Sequence, residues 1–148
     1  MKSSKSYHRV QPGYAILALA VIAEISMVVS CIRYDKLAAC ILFSLVLTFL
    51  GACFFSLQVT VDETLIRLKF GMGLIRKEIT LSDILSCARV KNFILSGWGV
   101  KRIGRIKGWS FNVSGWDAVE LTLTNGQRIR IGTDDPEGLV KAVNERIR

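Results

Sequence analysis

Histidine is almost missing from this 148-residue chain: its one copy, His8, lies in a polar stretch ahead of the first apolar run. Without a histidine base, no serine or cysteine triad can assemble in the rest of the chain. The four cysteines, Cys31, Cys40, Cys53 and Cys87, include no Cys-x-x-Cys pair, and no His/Cys metal cluster is encoded. Nucleotide signatures are missing too. Gly97-Trp98-Gly99 lacks the third glycine of a dinucleotide loop, and there is no P-loop Gly-Lys-Ser/Thr. The acids Asp83, Asp117 and Glu120 have no evident partner base and read as turn or strand-face residues. The sequence therefore predicts no enzyme, no cofactor and no metal.

Charge is scarce in the first third. The chain is 51% hydrophobic and 22% charged, with mean hydropathy +0.38, too apolar for a disordered tail. Residues 14–32 and 37–57 hold a single charge between them, Glu24. Each run is long enough to cross a hydrocarbon core of roughly 30 Å. The short separation, Arg33-Tyr34-Asp35-Lys36, predicts an antiparallel transmembrane hairpin over residues 14–57, preceded by a basic leader at residues 1–13. Seven Lys and Arg residues flank the outer ends (Lys2, Lys5, Arg9, Arg67, Lys69, Arg76, Lys77), against Arg33 and Lys36 in the turn. That bias places both termini in the cytoplasm of a multi-pass protein of the cell inner membrane. Val28-Val29-Ser30-Cys31 resembles a lipoprotein cleavage box with Cys31 as the lipidated residue, but Glu24 and the length of the run favour a spanning helix. An ionised Glu24 in mid-membrane would cost about 2.5–3.5 kcal/mol or more, so it is expected to face Ser44 and Thr48 rather than lipid. With Ala52, those two residues form a small-residue stripe suited to close packing, within the hairpin or between copies of it. Cys31 and Cys40 both fall near the outer end of the hairpin, where a bridge is geometrically conceivable but not expected, since packing explains both residues equally well.

From Phe55 the pattern changes from all-apolar to alternating, and the domain is taken to begin at residue 58. Ser56-Leu57-Gln58-Val59-Thr60-Val61 stops at Asp62-Glu63, and Ile66, Leu68 and Phe70 then oppose Arg67 and Lys69, the period of a half-buried strand. Gly71-Met72-Gly73 reads as a turn, residues 74–80 as a strand, 81–84 as a bend and 86–91 as another strand. Val119, Leu121 and Leu123 alternate with Glu120, Thr122 and Thr124. Asn125-Gly126 then predicts a tight hairpin into residues 127–131. Asp134 or Asp135 can cap a closing helix with Pro136 in its first turn and Leu139, Val140, Val143 and Ile147 on one face.

A strand meander with a closing helix resembles the pleckstrin-homology-like (PH-like) layout. The phrases Phe70-Gly71-Met72-Gly73-Leu74-Ile75-Arg76-Lys77, Ser96-Gly97-Trp98-Gly99-Val100, Asn112-Val113-Ser114-Gly115 and Ile131-Gly132-Thr133-Asp134 resemble those of small bacterial membrane proteins with a PH-like domain behind two helices. The resemblance implies an α+β chain: a transmembrane helical hairpin, then an antiparallel PH-like β-sandwich or barrel over residues 58–148 closed by a C-terminal amphipathic helix. It implies no activity. Lipid-binding members carry Lys and Arg in the first loop of the domain, whereas this chain has Asp62-Glu63 there, so phosphoinositide binding through that loop is not expected.

The net charge is +8 overall. Between Ile84 and Trp116 the basic residues Arg89, Lys91, Lys101, Arg102, Arg105 and Lys107 are interrupted by no acid, and Trp98, Trp109 and Trp116 fall in the same stretch. Three readings compete: a surface against an anionic leaflet, a groove for a protein partner, or core tryptophans beside a solvated basic face. Trp98, Lys101, Arg102, Arg105 and Lys107 are the expected membrane or partner contact. Glu24, Ser44 and Thr48 are the expected intramembrane polar contact. Nucleic acid is not expected, because no binding motif accompanies the charge. The sequence thus predicts a non-enzymatic, membrane-anchored binding or scaffold protein that meets anionic lipid non-specifically, a protein partner or further copies of itself. The alternative is a subunit of a transport or channel assembly in which Glu24 titrates.

Overall fold

The computed structural model describes residues 6–34, 36–91, 98–103 and 108–147. Two helices stand at one end, α1 (Tyr14–Tyr34) and α2 (Leu37–Phe54), and both are long and apolar enough to cross a membrane. Their 21 and 18 residues correspond to about 32 Å and 27 Å of helix. The second helix stops three residues short of the expected residue 57. Ser56 and Leu57 belong instead to a strand whose buried face is as apolar as the helix before it.

The stretch expected to be a leader contains the first strand. β1 (Tyr7–Pro12) pairs antiparallel with β2 (Ser56–Val61), from Tyr7 opposite Val61 to Pro12 opposite Ser56. β3 (Leu65–Phe70) and β4 (Ile75–Thr80) complete a four-stranded antiparallel sheet in the order β1-β2-β3-β4. A short 3-10 turn, Leu81–Asp83, leads into β5 (Ile84–Lys91), two residues longer at its start than the sequence suggests. β6 (Gly99–Arg102), β7 (Gly108–Asn112), β8 (Asp117–Leu123) and β9 (Arg128–Gly132) follow, in the sheet order β5-β8-β9-β7-β6. This second sheet departs from the antiparallel expectation, because β7 runs parallel to β9, with Trp109 opposite Ile129. Among the described residues the two sheets remain separate and form no closed barrel. The chain is α+β.

One core joins the layers. Leu57, Val59 and Val61 of β2 and Ile66, Leu68 and Phe70 of β3 are buried with Val119 and Leu121 of β8 and Ile129 and Ile131 of β9. The period-2 alternation read from the sequence is therefore the core-facing pattern. Helix α3 (Pro136–Asn144) seals the second sheet with Leu139 and Val143. Of the two candidate caps, Asp135 takes the role. Its Oδ1 accepts from the Gly138 amide at 3.0 Å, with Pro136 just inside the helix.

Candidate functional site

The root of the hairpin is built into the first sheet. One residue, Gly13, separates β1 from α1, and one residue, Phe55, separates α2 from β2. The Gly13 amide donates to the Phe55 carbonyl at 2.7 Å, so the β ladder continues to the point where the helices begin. A Cβ on Gly13 would lie 2.8 Å from the Phe54 carbonyl oxygen, which leaves room for no other residue in this backbone. Phe54 packs edge-on against Phe70 at 5.8 Å, tying the last turn of α2 to the core.

Two loops close around this root. In the β3–β4 turn the Met72 amide donates to Ala52 at 3.3 Å and the Gly71 amide to Ser56 at 2.8 Å. Gly71 has φ +42°, and a Cβ there would stand 2.3 Å from the Ala52 carbonyl oxygen. The turn holds Met72 and Leu74 out at 53% and 65% exposure beside the end of α2. Sequence reasoning missed these two side chains. The available signal was an apolar Met and Leu in a Gly-x-Gly turn, where polar residues are usual. In the β7–β8 turn, Ser114 Oγ donates to the Pro12 carbonyl and Gln11 Nε2 donates to the Ser114 carbonyl, both at 2.8 Å. That turn ends at the exposed Trp116. Trp98 completes the ring. With Gly99 and Val100 it floors an apolar cleft of about 560 Å³ whose walls are Ala20, Leu47, Gly51 and Phe54.

The basic, tryptophan-bearing stretch is thereby divided between two ends of the domain. Gly99 pairs with Asn112 at the root end, and Arg102 pairs with Trp109 three residues further along, about 10 Å away. Trp109 lines a separate cavity of about 230 Å³ with Lys77, Asp83 and Gln127 at the end remote from the helices. Trp98 and Arg102, grouped by sequence, lie at different heights, with Lys101 between them; Arg105 and Lys107 lie outside the described residues.

Within the hairpin, the seam between the helices is a narrow half-buried stripe. Ala20, Glu24, Met27 and Cys31 face Cys40, Ser44, Leu47 and Gly51, while most other helix residues are exposed. Ser44 Oγ donates to Glu24 Oε2 at 2.6 Å, and Glu24 Oε1 is buried with no partner. Thr48 is exposed and outside this bond, so two of the three expected polar residues meet.

Several of the remaining charges are paired. Asp62 binds Arg67, Arg9 holds Asp134 through two bonds of 2.7 and 3.0 Å, and Arg89 bridges Asp117 and Glu137. Glu120 takes Arg130 at 2.7 Å and Arg128 at 3.3 Å. Arg9 draws the Asp134 carboxyl below its ordinary range by hydrogen bonding. Burial, followed by the neighbouring Asp135 carboxylate, pushes the Tyr7 phenol up to about 12. Two of the three acids weighed for chemistry, Asp117 and Glu120, are thus members of ion pairs. Among the described residues no group of three or more His, Cys, Asp or Glu is placed to hold a metal ion.

No known family model matches the chain, and no curated protein is significantly similar to it.

Proposed function

We propose that this is a multi-pass membrane protein with both termini in the cytoplasm, whose hairpin holds a PH-like binding module at the inner face of the cell membrane. It acts by scaffolding and not by catalysis. The observation that carries this reading is the continuous root: single residues, Gly13 and Phe55, join the helices to paired strands, and their backbone bond leaves no flexible linker. A domain held in this way presents a fixed end to the bilayer. Trp98, Trp116, Met72 and Leu74 ring that end and suit the interfacial zone, where aromatic and apolar side chains anchor. Anionic headgroups meet the flanking Lys69 and Arg76 non-specifically. Arg102 and the Trp109 cavity face the cytoplasm, where an acidic protein surface is the complementary partner. The Glu24–Ser44 bond supports a structural carboxyl in the hairpin seam over a titrating carrier.

The test uses full-length single-tryptophan variants, with the other two tryptophans changed to phenylalanine, reconstituted in bilayers containing brominated lipid. Emission from Trp98 and Trp116 is quenched and blue-shifted, and emission from Trp109 is not. Equal quenching of all three, or of none, overturns the proposed placement.

A further inference from the structure

We propose that Cys31 and Cys40 form a dithiol–disulfide couple that closes the tip of the hairpin. α1 ends three residues after Cys31 and α2 begins three residues before Cys40, so antiparallel packing sets the two opposite each other. Both are half-buried while the residues on either side of each are exposed, which turns both toward the seam. Both are free thiols, and both line one cavity of about 420 Å³ between the helices. A disulfide needs an S–S bond of about 2.05 Å between Cα atoms roughly 4.4–6.8 Å apart. Thiols that face one cavity at the free end of a hairpin, where the helices are joined only by a short turn, are placed to reach that geometry. The other two cysteines do not compete: Cys53 is buried at the root, and Cys87 is on β5 with its thiol pushed up to about 12 by burial.

The chemistry is thiol–disulfide exchange with a disulfide of a small molecule or of another protein. One thiolate of the pair attacks a sulfur of that disulfide, forming a mixed disulfide and releasing one thiol. The second thiolate then attacks the hairpin sulfur of the mixed disulfide and releases the other thiol. Two electrons and two protons leave the pair, the external disulfide becomes two thiols, and one S–S bond forms in the hairpin. The closed bond clamps the seam containing Glu24 and Ser44 from the end opposite the root. In the cell this rests on the proposed crossing of the membrane, which carries the tip to the face away from the domain, where disulfides persist.

Full-length protein, purified reduced in detergent, is exposed to oxidised glutathione, denatured and alkylated with a maleimide polymer. Two of the four thiols lose reactivity, the intact mass falls by two hydrogens, and digestion yields one cross-linked peptide joining Cys31 to Cys40. Cys31→Ser abolishes the change, whereas Cys53→Ser and Cys87→Ser retain it. Four reactive thiols after oxidation, a bridge between chains, or a lipid mass on Cys31 overturns the proposal. The same alkylation on acid-quenched cells tests the compartment. An oxidised pair there supports both readings. A pair that closes when purified yet is wholly reduced in cells overturns the membrane-crossing orientation and leaves the couple standing.

Discussion

A carboxyl in the middle of an apolar helix has few groups to bond, and Glu24 uses the hydroxyl of Ser44 at 2.6 Å. Hydrogen bonds between membrane helices contribute about 0.6 kcal/mol on average and at most about 1.7. A double-mutant cycle of Glu24→Gln and Ser44→Ala, read by unfolding in mild detergent, is expected to give a coupling in that range, with Thr48→Ala silent. A coupling between Glu24 and Thr48 equal to that with Ser44 would mean that the helices pack with a different rotation. Glu24 and Ser44 were legible because an isolated charge in an apolar run needs a polar neighbour across the seam. Thr48 was misplaced for a geometrical reason. The seam on α2 runs through Cys40, Ser44, Leu47 and Gly51, and a second step of four residues after Cys40 rotates Thr48 off it, because a turn takes 3.6 residues. The grouping of Trp98 with Arg102 failed to foresee a similar displacement. Residues close in sequence separate by about 3.3 Å each once they lie on a strand.

At the scale of elements, the β3–β4 turn locks the domain onto α2, and Gly71 permits the approach. Gly71→Ala places a methyl group against the Ala52 carbonyl in a left-handed backbone, at an expected cost of about 1–3 kcal/mol. Gly126 at φ +77° has open space around it, so Gly126→Ala incurs only the backbone strain. Thermal unfolding of both variants in detergent should show the larger loss for Gly71→Ala; equal losses would remove the close contact from the explanation. The β8–β9 hairpin and the capped closing helix were readable because their signals are local: Asn125-Gly126 and Asp135-Pro136 each act within a few residues. β1 was not. His8, Arg9 and Val10 are exposed on an edge strand with no apolar alternation, and their ladder partners lie beyond both helices. The parallel pairing of β7 with β9 is equally non-local, since β8 intervenes and no turn sets its register.

For the molecule as a whole, the hairpin is a long excursion between two adjacent strands. Replacing residues 13–55 with Asn-Gly joins Pro12 to Ser56, which already face each other in the ladder, through a turn suited to that pairing. The resulting chain is expected to be soluble without detergent and to unfold cooperatively, with the Arg9–Asp134 and Tyr7–Asp135 contacts intact. Circular dichroism and sedimentation check this. An unfolded or aggregated product would show that the Phe54–Phe70 contact at the root is indispensable to the core.

The same connection orders events during synthesis. Tyr7 leaves the ribosome long before its partner Val61, and the ladder between them cannot close until both helices have turned back on themselves. In open solution, bringing such distant segments together costs loop entropy. Here the folded helices perform that closure and deliver Ser56 beside Pro12. On the proposed crossing of the membrane, insertion becomes the gate through which the β-domain folds, and a chain that failed to insert would leave its first strand without a partner.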